Sequence, residues 1–276
     1  MRLDISIPEE RKKYLKNLLE QYHKEIFTGK TRLEKILAWV VKEQKELGRE
    51  LKVFDLGCGA GYISRAIASL GHSVVGIDQN PSVIVYAQSI TPRELEVEYY
   101  PIPAQEVRNK FSPAEFDLLI CSEVIEHLPD PFQLTWLPGY LLREGGMAII
   151  TVPNGYSLEE RIRWFLSKTK IGNLIANFLS QRKIFQNKLH KLEEGSPHLY
   201  YFSFSQIKYF VLSSKLRLES IEPTAGFFWD LYCLFFRFLI KRGGKVYQFL
   251  ERLDQKLIRL VPLSFASGWL VVARKN

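Results

Sequence analysis

Three side chains able to move a proton or hold a cation fall within five residues, Glu123-Val-Ile-Glu126-His127. Their i, i+3 and i+4 spacing lets one helical turn present all three on one face. An imidazole placed so can act as a general base near neutral pH, with Glu126 or Glu123 orienting or charging it. Two carboxylates and an imidazole, joined by the distant His198, also suit a divalent metal ion. A third possibility is structural: the acids favour a helix N-terminus and His127 is a packing residue. The reading adopted is acid/base chemistry with no bound metal.

A second constellation lies upstream, in Val53-Phe54-Asp55-Leu56-Gly57-Cys58-Gly59-Ala60-Gly61. Glycines between a strand and a helix remove Cβ atoms and let backbone lie directly against a ligand. A dinucleotide fingerprint needs its third glycine at position 62, which is Tyr62. Here the glycines alternate at 57, 59 and 61 behind Asp55, and Asp78 follows the next strand, where a carboxylate can accept both hydroxyls of a ribose. That pattern suits an adenosine carried without a pyrophosphate.

The elements holding these residues follow from periodicity. Apolar residues at three- and four-residue steps make 8–47 helical, ended by Gly48. Strands are expected at Leu51–Leu56, Ser73–Ile77, Leu95–Tyr100, Phe116–Cys121 and Met147–Val152, with helices between them. One helix runs from Tyr62 to Leu70, and another starts at Asn80-Pro81, an N-cap with proline in the first turn. Such alternation implies an α/β fold with a doubly wound, mostly parallel sheet. Ser205 is expected to cap a helix through Leu212, followed by strands at Arg217–Ile221 and Gly268–Arg274 with helices near 226–240 and 246–261 between them. The organisation is N-terminal helices (1–50), a ligand-binding core (51–154), a basic helical insertion over the site (155–200), and a C-terminal part of the sheet (201–276) with an aromatic helical insertion at about 226–261.

These motifs resemble the class I S-adenosylmethionine-dependent methyltransferases over roughly residues 30–154, with weaker similarity at 198–222 and 268–274. FDLLICSEVIEHLPDP (116–131) and LLREGGMAIITVPNG (141–155) are most similar to the ubiquinone-biosynthesis type of O-methyltransferase. The resemblance implies a seven-stranded sheet with an antiparallel last strand and S-adenosylmethionine across the carboxyl ends of the strands. It implies that Gly57, Gly59 and Gly61 lie against the methionine part of the cofactor, with Asp55 near its ammonium. Asp78 would hold the ribose, Gln79 border the adenine, Ser122 line the pocket, and Arg32 meet the cofactor carboxylate. Pro103 replaces an acid often found before Ala104, so Gln105, Glu106 or backbone would recognise the exocyclic amine. A small-RNA 2′-O-methyltransferase family has a similar E-x-x-E-H followed by a distant histidine, which makes RNA methylation through a metal site the alternative.

Composition narrows the partners. The chain has 276 residues, a net charge of +8 and 46% apolar residues, enough for a buried core. Its three cysteines show no paired spacing, so a disulfide framework and a cysteine-zinc site are excluded and a reduced, cytoplasmic setting is expected. The charged first residues do not read as a secretory signal. Residues 51–154 carry −6, whereas 155–276 carry +11 and 22 of the 36 aromatics. That split suits an anionic or lipid-linked acceptor or an anionic membrane surface, with nucleic acid second. GFFWDLYCLFFRFLI (226–240) is too short to span a bilayer and reads as core or as an interfacial segment.

Overall fold

The computed structural model describes residues 7–25, 29–157, 161, 199–225, 244–257 and 262–276. Two helices, α1 (Glu9–Glu25) and α2 (Gly29–Leu47), precede β1 (Lys52–Leu56), α3 (Tyr62–Ala68), β2 (Ser73–Ile77), α4 (Pro81–Ile90) and β3 (Val97–Tyr100). Next come β4 (Phe116–Ser122), α5 (Trp136–Leu141) and β5 (Leu142–Pro153), then α6 (Phe204–Ser213), β6 (Leu216–Ala225), α7 (Lys245–Leu257) and β7 (Gly268–Lys275). The strands form one seven-stranded sheet in the order β3-β2-β1-β4-β5-β7-β6. β1 to β5 are parallel to one another, and β7 runs antiparallel to both β5 and β6.

Two-residue alternation sends neighbouring side chains to opposite faces of this sheet. Val53, Leu118, Ile120, Met147 and Ile149 meet Leu33, Ile36, Leu37 and Val40 of α2 and Ala66 and Ile67 of α3. Phe54, Leu119, Cys121, Ala148 and Ile150 face the other way, onto Leu137 and Leu141 of α5 and Ile207 and Phe210 of α6. α2 is further fixed to the far edge by Arg274, whose two terminal nitrogens each donate to one oxygen of the buried Glu43 at 2.9 Å. Trp39 Nε1 adds a bond to Glu222 Oε1 at 2.8 Å. These contacts clamp the middle and last turns of α2, while Arg32 near its start reaches the carboxyl ends of the strands, where it meets Glu123.

The expected fold class is observed, with local differences. Ser203 rather than Ser205 caps α6, because Ser203 and Gln206 form a reciprocal capping box. β6 continues past Pro223 to Ala225, which an edge strand tolerates. β3 and β4 are joined through a 3-10 turn at Ala104–Asn109 in place of a full helix. The expected helices at 155–200 and 226–240 lie outside the described residues apart from 155–157, 161 and 199–200. No helix among the described residues is long and apolar enough to cross a membrane.

Candidate functional site

After β3 at one edge the chain returns to β4, on the other side of β1, which opens a crevice where β1 and β4 end. Leu56 of β1 is in register with Cys121 of β4, so the glycine turn and the segment from Ser122 leave the sheet side by side. Gly57, Gly59 and Gly61 have φ of +68°, +51° and +73°, the left-handed region that glycine enters without a Cβ penalty. A Cβ on Gly57 would stand 2.5 Å from Val124 Cγ2, and one on Gly61 would collide with the Tyr99 ring. A Cβ on Gly59 meets nothing within 4 Å. Two of the glycines are therefore required by packing, while Gly59 borders open space.

Asp55, next to last in β1, faces the α3 side almost wholly buried, and Ser64 Oγ donates to its Oδ2 at 2.5 Å. Its Oδ1 is buried without a hydrogen-bond partner. Burial pushes this carboxyl up to about 7 against the opposing bond from Ser64, and the nearby Asp78 adds to the rise. Asp78 follows β2; its Oδ2 accepts the Gly59 amide at 3.1 Å and its Oδ1 the Asn80 amide at 2.9 Å. The same carboxylate thus ties down the glycine turn and starts α4, and each oxygen keeps a lone pair for a further donor. Gln79 and Gln105 are exposed and Ala104 is half-buried, on the two segments that flank the end of β2 and β3.

The segment after β4 departs from the expected helical turn. Glu123 has φ +56°, and only Ile125–His127 form a 3-10 turn, so Glu123, Glu126 and His127 do not share a helix face. Glu123 points instead to the N-terminal helices, with Oε2 3.0 Å from Arg32 Nη1 and Oε1 accepting from Thr151 Oγ1 at 3.0 Å. Ser122 Oγ lies 2.9 Å from the same Thr151 hydroxyl. Glu126 is fully buried with neither carboxyl oxygen hydrogen-bonded. Burial, reinforced by Glu123, pushes it up to about 9. His127 Nε2 stands 3.8 Å from Glu126 Oε1, the separation of a charge pair rather than a hydrogen bond. Among the described residues no three metal-binding side chains converge, and His198 lies outside them.

Arg32 is buried, and that environment opposes its charge; Glu123 and Tyr22 overcome it and raise the guanidinium above its ordinary value. Arg32 Nη2 donates to Tyr22 Oη at 3.2 Å, while Nε is buried and unpartnered. Tyr22, Thr151 and Arg65 are components that the sequence reading did not assign to the site. Arg65, buried in α3, donates to the carbonyls of Gly61 at 3.1 Å and Ala60 at 3.3 Å and so braces the glycine turn. A basic residue at i+4 from the last glycine was the available signal for Arg65; Tyr22 and Thr151 carried none beyond apolar periodicity and strand propensity.

Residues 54–150 match the family model described as a methyltransferase domain. Among curated proteins, the ubiquinone biosynthesis O-methyltransferase of Leptothrix cholodnii is 35% identical over 106 residues, 38% of this chain and 45% of that protein. The enzyme of the same name from Stutzerimonas stutzeri is 34% identical over 104 residues, 37% and 44% of the two chains. The match thus spans about half the length of these curated relatives. Among solved structures, a SAM dependent methyltransferase from Archaeoglobus fulgidus aligns with TM-score 0.52 at 17% identity over 88% of this chain and 94% of that one. The cyclase SpnF aligns with TM-score 0.55 at 13% identity over 90% and 81%. The fold alone therefore does not define a reaction. The residues in the crevice fit the family's cofactor: an unpartnered buried oxygen on Asp55, open space at Gly59, and spare acceptor capacity on Asp78. Residues 54–150 of this chain form a methyltransferase domain with the fold of the S-adenosylmethionine-dependent methyltransferases.

Proposed function

We propose that the protein transfers a methyl group from S-adenosylmethionine to a hydroxyl of a small-molecule, lipid-linked or glycan acceptor. The observation that carries this reading is the placement of His127. Two histidines have described side chains. His72 lies at the amino end of β2, where the Leu51 amide donates to its Nδ1 and burial holds it down at about 4, so it is a neutral packing group. His127 lies beyond β4, at the carboxyl ends of the strands, with 30% of its side chain exposed.

Bound across the carboxyl ends, S-adenosylmethionine supplies an activated methyl carbon. The protein aligns the acceptor and removes its proton. In this reading the His127 ring takes the hydroxyl proton, with the carboxyl of Glu126 beside the ring to orient it and Glu123 supplying negative charge nearby. Asp78 holds the ribose hydroxyls, Asp55 faces the ammonium, and Gly57, Gly59 and Gly61 leave room for the methionine part. Gln79, Ala104 and Gln105 border the adenine, Ser122 lines the pocket, and the unpartnered Nε of Arg32 offers a donor for the carboxylate without breaking the pair with Glu123.

The amides of Leu199 and Tyr200 donate to the Glu126 carbonyl at 2.8 and 2.9 Å, so the chain rejoins the core beside His127. That supports reading 155–200 as an insertion on the acceptor side, and the +11 charge of 155–276 favours an anionic acceptor or an anionic surface presenting one. The test is transfer of labelled methyl into separated lipid, RNA and small-molecule extracts. Label in an ether-linked methyl of the lipid or small-molecule fraction supports the proposal, and label confined to RNA overturns it in favour of the nucleic-acid alternative.

A further inference from the structure

The N-terminal helix α1 reaches both walls of the crevice. Tyr14 and Tyr22 are eight residues apart, so they share one side of α1 with about 12 Å of axial rise between them. Tyr14 Oη accepts from Arg65 Nη1 at 3.4 Å, and Arg65 in turn holds the Ala60 and Gly61 carbonyls of the glycine turn. Tyr22 Oη accepts from Arg32 Nη2 at 3.2 Å, and Arg32 pairs with Glu123 on the segment after β4. Between these two arrangements stands Tyr62, the residue after Gly61. Its ring lies 5.1 Å from that of Tyr22 and 4.8 Å from the Arg65 guanidinium. One helix thus presents two hydroxyls to two buried arginines, one arginine for each wall.

We infer that Tyr14 and Tyr22 are positioning residues for the cofactor crevice, acting through Arg65 and Arg32, so that docking of α1 and binding of the cofactor favour each other. The inference rests on the cofactor reading above and adds a coupling to it. A ligand pressed between the glycine turn and the Ser122–Glu126 segment is stabilised by whatever fixes those segments, and by reciprocity it stabilises that brace in return. Glu123 sharpens the argument. A glutamate at φ +56° is held against its own preference, and its two carboxyl oxygens are taken by Arg32 and by Thr151. Removing the Tyr22 hydroxyl loosens one side of that hold while leaving the ring in place against Tyr62.

The experiment uses the full chain and S-adenosylhomocysteine, the demethylated cofactor, as probe. Amide hydrogen exchange across residues 9–22 is measured with and without saturating probe, and calorimetry compares the unaltered protein with Tyr14→Phe/Tyr22→Phe. Phenylalanine retains the rings, so a packing role alone leaves affinity unchanged. The inference predicts slower exchange in α1 on binding, and about two- to tenfold weaker binding by the double variant at a temperature where both proteins are fully folded. Exchange in α1 that ignores the probe, or a double variant that binds as tightly as the parent, overturns it. The exchange arm needs no variant. Failure of the unaltered protein to bind the probe overturns the cofactor reading itself.

Discussion

Arg32 on α2 and Glu123 after β4 form an ion pair, Nη1 to Oε2 at 3.0 Å, between residues 91 positions apart. The guanidinium is the more deeply buried partner, with 8% of its side chain exposed against 30% for the carboxylate. Because the pair secures a backbone in the left-handed region, breaking it affects both stability and the shape of the segment that leads to His127.

Arg32→Met leaves Glu123 without its cation, and a loss of about 1–3 kcal/mol is expected. Adding Glu123→Gln should restore part of that loss, since the residues interact directly. Urea unfolding of both single variants and the double variant measures the coupling; strict additivity would show that the pair contributes nothing.

Stability should fall as pH rises from about 5 to about 9. Asp55 is pushed up to about 7 and Glu126 to about 9, so across this window the native state holds protons that the unfolded chain has released. Each group contributes at most about 1.4 kcal/mol per pH unit. Glu126→Met should remove the decline between pH 7 and 9 and reduce, without abolishing, the decline below 7, where Asp55 still titrates. Thermal melts over that range check this, and an unchanged profile in the variant contradicts it.

The glycines separate fold from ligand. Ala at 57 or 59 bears a similar conformational penalty of about 1 kcal/mol. At 57 it also meets Val124, whereas at 59 it points into open space. Gly57→Ala should therefore lower stability by about 1–3 kcal/mol more than Gly59→Ala, while Gly59→Ala should weaken cofactor binding in calorimetry with the fold intact. Equal effects of the two on unfolding would refute the distinction.

Much of this fold is legible in the sequence where one local signal dominates. β2 matches its expected span, Ser73–Ile77, because Gly71 breaks the chain before it and Asp78 and the Asn80 cap close it. Ser203 was readable as the cap of α6 through its Ser-x-x-Gln box, whereas position 208, three beyond Ser205, is Lys208 and cannot reciprocate. The segment after β4 was not legible. An i, i+3, i+4 argument presumes regular helix, and nothing local marks Glu123 for positive φ; that conformation is set by Arg32 and Thr151, both distant in sequence. The tyrosine hydroxyls of α1 were hidden for the same reason, since periodicity identifies a buried face but not which polar tip on it finds a partner.

If His127 removes the acceptor proton, His127→Asn should lower kcat by about 100- to 10,000-fold with cofactor affinity nearly unchanged. Activity should survive exhaustive chelation. Loss of activity to chelator, restored by Mg²⁺ or Mn²⁺, would instead assign Glu123, Glu126 and His127 to a metal.

The central claim is that the β1/β4 crevice binds S-adenosylmethionine with Asp78 on its ribose, and calorimetry tests it most directly. S-adenosylhomocysteine is titrated into the unaltered protein and Asp78→Ala, alongside an analogue lacking both ribose hydroxyls. The predicted result is binding to the unaltered protein, a loss of about 1–3 kcal/mol in the variant, and a much smaller loss for the hydroxyl-free analogue. Equal affinity of both proteins for S-adenosylhomocysteine would contradict the account.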